Sequence, residues 1–327
     1  MSRTLYAAAK QQAIEHCMSE SDDVLLIGAL FGGLSPHQHL FDELGTKFPG
    51  RVLSPPTSEL GLAGMATGAA VYGMRPMLDV ITASFAFQGF AQIVNEAANV
   101  RYMSNGASSA PVVFHMLGGI RSAGGPQHSH RLQSMFWNTP GLDVLLPSTP
   151  QDVYELMTHA LLHSQNPTVF IDHPLLLTTE GELDTSARLP IGQGRVVRTG
   201  GDATVVASSI MVIRALEAAD ILAAEGIEIE IIDPRTLVPF DEQLIVGSVR
   251  RTGRLVVADE TNSSCGVAAE IITRVVESAY DALSAAPVRV STPDIPIAFA
   301  PRLEQELVRS ADDIAAGVRT VLAEGRA

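Results

Sequence analysis

Residues 51–82 read RVLSPPTSELGLAGMATGAAVYGMRPMLDVIT, and this stretch decides the fold. Arg51–Ser54 is a short apolar strand. Thr57 or Ser58 can cap a helix with its hydroxyl, and Glu59 falls in the first turn, where an acidic group is favoured. Gly61, Ala63, Gly64, Ala66, Gly68, Ala69 and Ala70 then make the helix smooth: they lower its propensity but let other backbones come close. Pro76 leads into a second strand, MLDVIT (Met77–Thr82). Strand, helix and strand, with continuous apolar strands, are the unit of a parallel sheet covered on both faces.

A helix that smooth suits burial, including burial against another chain, and it would carry Glu59 in with it. A buried carboxylate has its pKa raised and can hold or give a proton near neutral pH. The alternative reading is a capping Glu on a buried interface helix. The pattern alone leaves both open.

The same rhythm extends outward. Residues 3–18 predict a helix and Val24–Gly28 (VLLIG) a strand; Gly32–Gly33 make a turn, and Ser35-Pro36 starts a helix ending near Leu44-Gly45. After Thr82 the segment SFAFQGFAQIVNEAANVRYMSNG is helical. Pro111–His115 is a strand, followed by the Gly-rich loop LGGIRSAGGPQHSH (Leu117–His130). Asp143–Leu146 is a strand; Ser148-Thr149-Pro150 with Asp152 opens a helix through Leu162; Thr168–Asp172 is the next strand. The rhythm lapses near residue 178 and returns with ATVVAS. Strands follow at Ile227–Asp233, Arg254–Asp259 and Pro287–Ser291, with helices at 241–252, 266–282 and 311–322. The reading is an α/β chain of two doubly wound domains: 1–185, a linker 186–202 carrying one short strand, and 203–327.

Size and composition agree. The 327 residues suit two domains at roughly 150 residues each. A hydrophobic share of 46% with 18% charged residues describes a packed globular protein. The net charge of −14 and a single Trp, Trp137, argue against nucleic-acid binding. Cys17 and Cys265 make neither a disulfide framework nor a thiolate metal cluster. No apolar run approaches the ~18 residues of a membrane span, and the start has no signal-peptide layout. A cytoplasmic protein is expected.

Phosphate-loop, nucleophile-elbow and HExxH motifs are absent. Two His-x-His pairs, His37/His39 and His128/His130, lack a third ligand at motif spacing, so no metal site is expected in this chain. His37 and His39 fall in a predicted helix, where i and i+2 diverge. His128 sits in the Gly-rich loop after a strand end, where such sheets place their ligands, and can move protons or bind an anionic substrate; the alternative is a His that merely orders the loop.

Several segments together resemble one family, the β subunit of the E1 component of thiamine-diphosphate-dependent 2-oxoacid dehydrogenases. They are TSELGLAGMATGAA around Glu59, FQGFAQIVNEAANVRY (Phe87–Tyr102), QHSH with NTPGLDVLLPSTPQD (Asn138–Asp152), IIDPRTLVPFD (Ile231–Asp241), VVADETNSSCGVAAEI (Val256–Ile271) and TPDIPIAFAP. The match runs in unbroken order from about Leu5 to Val321. The resemblance implies a pyrimidine-binding domain of transketolase type followed by a transketolase C-terminal-like domain, the latter with an assembly role. It implies that Glu59 bonds N1′ of the aminopyrimidine of thiamine diphosphate and drives loss of the thiazolium proton. It puts Phe85 against the aminopyrimidine, with Ser58 and Gln88 as further cofactor contacts, and makes His128 the residue that steers the 2-oxoacid and assists acyl transfer to lipoamide. Related enzymes bind diphosphate and Mg²⁺ through a GDG…N segment, and this chain has no GDG. The resemblance therefore implies an α subunit carrying that half-site in an α2β2 heterotetramer, with a lipoyl acyltransferase as a further partner.

The sequence departs from the family in places. GALFGG follows the first strand, and Gln88 and Ala91 stand where acidic residues are common; His115 ends a strand in which members often carry Arg. The loop Leu161–Pro167 overlaps a region where some members bind K⁺ through carbonyls. Rival readings are a split transketolase-like or acyloin-forming carboligase, a non-catalytic assembly subunit, and a metal-dependent hydrolase built on His128/His130.

Overall fold

The computed structural model describes residues 2–28 and 42–324. The turn at Gly32–Gly33, the helix start at Ser35-Pro36 and both His37 and His39 lie outside the described residues. The chain divides into two compact units: Met1–Gly118 with Met135–Ile191, and Gly119–Ser134 with Gly192–Ala327. The loop carrying His128, which lies within 1–185 in sequence, thus packs with the second unit.

In chain order the first 191 residues form β1 (Ser2–Leu5), α1 (Tyr6–Glu20), β2 (Val24–Gly28), α2 (Asp42–Lys47), β3 (Val52–Leu53), α3 (Glu59–Val71), β4 (Arg75–Thr82), α4 (Val100–Met103), β5 (Val113–Leu117), α5 (Gln133–Trp137), β6 (Asp143–Leu145), α6 (Pro150–Leu162), β7 (Thr168–Asp172) and β8 (Glu180–Leu183). Strands β6-β7-β5-β4-β2-β3 lie side by side, each pair parallel. That arrangement explains their continuous apolar sequences, since both faces are covered. Leu26, Met77, Phe114 and Phe170 are fully buried, each contributing about 1.5–3 kcal/mol over an exposed position. Helix α6 starts as its sequence implies: the Thr149 hydroxyl accepts from Asp152 N at 3.1 Å, and Pro150 takes the first helical position.

Two local expectations need correction. Ser2–Leu5 is not part of the first helix but pairs antiparallel with β8, which satisfies its backbone and delays the helix to Tyr6. The segment after β4 is not one helix. It runs as a 3₁₀ turn (Ala83–Phe87), a π turn (Gln92–Glu96), another 3₁₀ turn (Ala97–Asn99) and then α4. Gly89 shows why: a Cβ there would lie 3.0 Å from the Glu59 carbonyl oxygen and 3.3 Å from the Ala63 methyl. The chain must cross the start of α3 at close range, and a regular helix would not track it.

The second unit contains β9 (Arg195–Arg198), β10 (Ala203–Ala207), α7 (Ile210–Ala223), β11 (Ile229–Asp233), β12 (Thr236–Val238), α8 (Glu242–Thr252), β13 (Leu255–Asn262), α9 (Val267–Ala279), β14 (Val288–Thr292), α10 (Pro301–Leu307) and α11 (Ala311–Ala323). Its sheet has the order β14-β13-β10-β11-β9, parallel except for β9. Helix α11 opens with a full capping box between Ser310 and Asp313. Among the described residues no helix is long and apolar enough to cross a membrane.

Both cysteines are free thiols. Burial pushes the Cys17 thiol up to about 12, whereas Cys265 is exposed. Only the thiolate alkylates readily. Brief treatment of the native chain with iodoacetamide is therefore expected to modify Cys265 and spare Cys17 by peptide mass spectrometry, with both modified after unfolding.

Candidate active site

The first unit's sheet reverses its winding at β2: β3 lies on one side of it and β4 on the other. The crevice beyond the carboxyl ends of β2 and β4 is where such a sheet receives a ligand. Two backbone features shape it. A Cβ at Gly28 (φ +129°) would lie 2.5 Å from the Asp79 carbonyl oxygen, so only glycine lets the strands close there. Ile81 adopts φ +68° at a bulge in β4. For a β-branched side chain that is a strained conformation, costing of order 1–3 kcal/mol. The Asp79 carboxylate holds it by accepting Ile81 N–H at 3.1 Å.

Glu59 is the first residue of α3 and sits over this bulge. Thr57, Glu59 and Leu62 form one wall of a cleft and Leu78–Ile81 the other. Of the two candidate caps, Ser58 is the one used: its hydroxyl accepts from Gly61 N at 3.3 Å, worth about 1 kcal/mol. Glu59 is half-buried rather than buried in this chain. The cleft measures about 20 Å³, room for one water by the ~10–15 Å³ a water needs and far below the ~300–1,000 Å³ of a cofactor pocket. The described residues therefore supply a wall with a carboxylate on it, not an enclosed site.

Phe85 and Gln88, expected to act with Glu59, lie in the segment that crosses the start of α3. Phe85 lies half-buried in the 3₁₀ turn Ala83–Phe87, and Gln88 caps that turn with its side chain exposed. Gly89, next in sequence, touches the Glu59 backbone. Beyond Glu59, α3 buries only Ala63, Ala66, Thr67 and Ala70, while Leu60 is 53% and Tyr72 92% exposed. A Cβ at Gly68 would meet nothing within 4 Å. The described residues thus give no packing reason for that glycine.

A buried polar network that sequence reasoning missed runs beneath the cleft. His115 Nδ1 donates to Asp79 Oδ1 at 2.7 Å and its Nε2 to Asp172 Oδ2 at 2.9 Å. Lys10 Nζ donates to the same Asp172 oxygen at 2.8 Å, and Tyr6 OH donates to the other. Lys10, His115 and Asp172 are essentially inaccessible to water. Burial and the Lys10 ammonium, 3.2 Å from Nε2, push the His115 pKa down, but the two carboxylates outweigh them and raise it. Burial alone would raise the Asp172 carboxyl; Lys10 and His115 hold it well below the usual range. The raised His115 pKa favours the imidazolium, which can donate at both nitrogens to the two carboxylates. The signal was present in the sequence: MLDVIT, PVVFH and TVFID each carry one titratable residue in an apolar strand. Nearby, the carbonyls of Leu161 and Ser164, in the loop compared with a K⁺ site, accept from the Arg75 guanidinium.

His128 belongs to the second unit, half-buried at the end of the 3₁₀ turn Pro126–His128. Its neighbours Gln127, Ser129, His130 and Arg131 line a cavity of about 600 Å³ together with Asn262, Ser264 and Asp294–Ile297. Burial and the Arg131 charge lower the His130 pKa, which favours its neutral form. Among the described residues no group of three or more His, Cys, Asp or Glu is placed to hold a metal ion.

The comparisons with known proteins define the class. The transketolase pyrimidine-binding domain model matches residues 3–179 and the transketolase C-terminal domain model residues 192–314. A solved structure titled a split gene transketolase, inactive β4 tetramer, superposes with a TM-score of 0.80 at 25% identity, covering 97% of this chain and 98% of that one. The β subunit of acetoin:2,6-dichlorophenolindophenol oxidoreductase from Cupriavidus necator is 38% identical over 97% of each chain. The pyruvate dehydrogenase E1 β subunits of Pisum sativum (94% of this chain, 90% of the relative) and Rickettsia felis (96% of each) are both 36% identical. The chain belongs to the E1 β-subunit family of thiamine-diphosphate-dependent 2-oxoacid dehydrogenases.

The buried network sets a testable pH dependence. The raised His115 pKa contributes stability that is complete below its unfolded value of ~6.5 and is lost as pH rises through the folded value. The lowered Asp172 pKa contributes above ~3.9 and is lost as pH falls through the folded value. The network is therefore worth most at roughly pH 4–6.5. Urea unfolding should show His115→Asn losing the part of the alkaline decline that His115 causes. Lys10→Met, which strands a buried carboxylate, should cost about 3–5 kcal/mol.

Proposed function

We propose that this chain is the β subunit of an enzyme that decarboxylates a 2-oxoacid, or cleaves acetoin, and passes the acyl unit to lipoamide, with thiamine diphosphate held between it and an α subunit. The observation that carries this reading is Glu59, placed as the first residue of α3 over the switch-point cleft in a chain of this family. Thiamine diphosphate supplies a thiazolium carbon that bonds the oxo carbon and takes up the electrons released with CO₂. The residues of this chain fit the aminopyrimidine end of that cofactor. Glu59 holds a proton at N1′, Phe85 offers a ring face, and Ser58 and Gln88 border the helix start. His128 hydrogen-bonds the substrate and assists acyl transfer. Mg²⁺ and the diphosphate are assigned to the α subunit, because this chain has no GDG segment.

The half-formed cleft and the exposed smooth face of α3 support a partner seated there in an α2β2 assembly. A related solved protein is described as an inactive β4 tetramer, in line with β chains that need their partner. A split transketolase or acyloin-forming carboligase is the second reading, favoured by that same neighbour and by Gln88 and Ala91 at positions where acids are common.

Co-expressed with its α partner, the protein is expected to bind thiamine diphosphate and release CO₂ from a 2-oxoacid; ketol exchange without CO₂ would favour the second reading. Glu59→Gln should lower turnover by about 10²–10⁴-fold with assembly intact. Full turnover in that variant would sink the mechanism. Gly68→Leu should leave the isolated chain folded, since no described residue lies within 4 Å of a Cβ there, yet block the heterotetramer in sedimentation velocity.

A further inference from the structure

The loop that carries His128 is closed by Gly119 N–H donating to His130 O at 3.1 Å and turned by Gly124 N–H donating to Arg121 O at 2.9 Å. Gly119, Ala123 and Gly125 all adopt positive φ (118°, 55° and 63°), and Ala123 does so with a side chain that disfavours it. A Gly-rich connection of this kind is ordinarily the mobile part of a fold. Its remaining anchors come chiefly from other parts of the second unit. Glu260, on β13, accepts Ile120 N–H at 2.9 Å, and Glu304, on α10, accepts Ala123 N–H at 2.7 Å. Arg131 donates to Ser129 O at 2.7 Å and to Asn262 Oδ1 at 2.9 Å. Ile120 packs with Ile297, Leu307 and Val308.

Glu304 is the unusual member. Its side chain is 4% exposed, its Oε2 bonds the Ala123 amide, and its Oε1 is buried without a partner. Glu260, equally buried, also meets Arg214 at 3.3 Å. Burying a carboxylate is costly unless cations or several donors compensate. Glu304 also lies in the first turn of α10, where the helix dipole favours an acid, but that preference does not call for burial. Among the described residues, the hydrogen bond its side chain makes is to the left-handed turn five residues before His128.

We propose that Glu304, supported by Glu260, is a positioning residue for His128: its carboxylate fixes the Ala123 turn and thereby sets where the His128 turn and the adjoining wall of the 600 Å³ cavity lie. This assigns the C-terminal domain a part in the reaction besides assembly, and it rests on the reading that His128 handles substrate. A charge-assisted hydrogen bond to a loop amide is strong enough to change local opening about tenfold or more.

The test uses the enzyme assembled with its α partner and compares Glu304→Ala, Glu304→Gln and Glu260→Gln with His128→Ala. In Glu304→Ala, amide hydrogen exchange of residues 119–131 should quicken about tenfold, while β10 and β13 keep their protection. The 2-oxoacid kcat/KM should fall about tenfold with thiamine-diphosphate affinity unchanged. Glu304→Gln, whose amide oxygen still accepts from Ala123, should recover most of both. If the alanine variant does not fold, Glu304→Gln and Glu260→Gln should still each raise exchange in 119–131 by a few-fold. Unchanged exchange there, in whichever variants fold, would overturn the proposal. So would a loosened loop with unaltered kinetics in an enzyme that His128→Ala impairs. A loosened loop with both Glu304→Ala and His128→Ala kinetically silent would instead remove the role given to His128, and the proposal with it.

Discussion

The chain of charges from Lys10 through Asp172 and His115 to Asp79 is the constraint on which the first unit depends. It ties α1 to β7, β5 and β4 in the interior, where an unpaired ion is intolerable. Each carboxylate is matched to a cation, and the last of them, Asp79, spends a lone pair on the amide of Ile81. A strained backbone conformation at the floor of the Glu59 cleft is thus held by a buried ion network that reaches back to the first helix. The expense of burying these groups makes sense where a backbone must stay in a conformation it would otherwise leave.

The two candidate reacting groups are supported in different ways. Glu59 rides on a capped helix start packed over a sheet end, a rigid platform that needs little else. His128 rides on a loop whose shape is foreign to its own sequence apart from the glycines. The second unit supplies carboxylates and an apolar seat for that loop at the carboxyl end of β13, beside β10, where its own sheet reverses winding.

Glycine has opposite meanings at neighbouring places in this molecule. Gly28 and Gly89 are needed because backbone passes within contact of where a Cβ would be, at Asp79 and Glu59. Gly68 faces open space and weakens its helix by about 0.5–1 kcal/mol against alanine. The first kind shapes the cleft within the chain. The second has no packing reason among the described residues, and Leu60 and Tyr72 beside it are likewise exposed.

The sequence by itself determined the class of fold, because continuous apolar strands alternating with helices can be buried only in parallel sheets covered on both faces. Thr149 and Pro150 starting α6, and the capped helix led by Glu59, were legible for the same reason: caps and periodicity are local. Pairing of Ser2–Leu5 with β8, the broken helix after β4 and the grouping of 119–134 with the second unit were not. They depend on partners more than a hundred residues distant or on the close crossing at Gly89, which leave no local pattern. Lys10, Asp79, His115 and Asp172 lie between these cases: each was visible as a polar residue in an apolar setting, but only the packed sheet brought them to hydrogen-bonding distance and fixed their charges. Long-range register is a property of the whole chain's packing, and so the supports of the site, unlike Glu59 itself, belong to the tertiary structure.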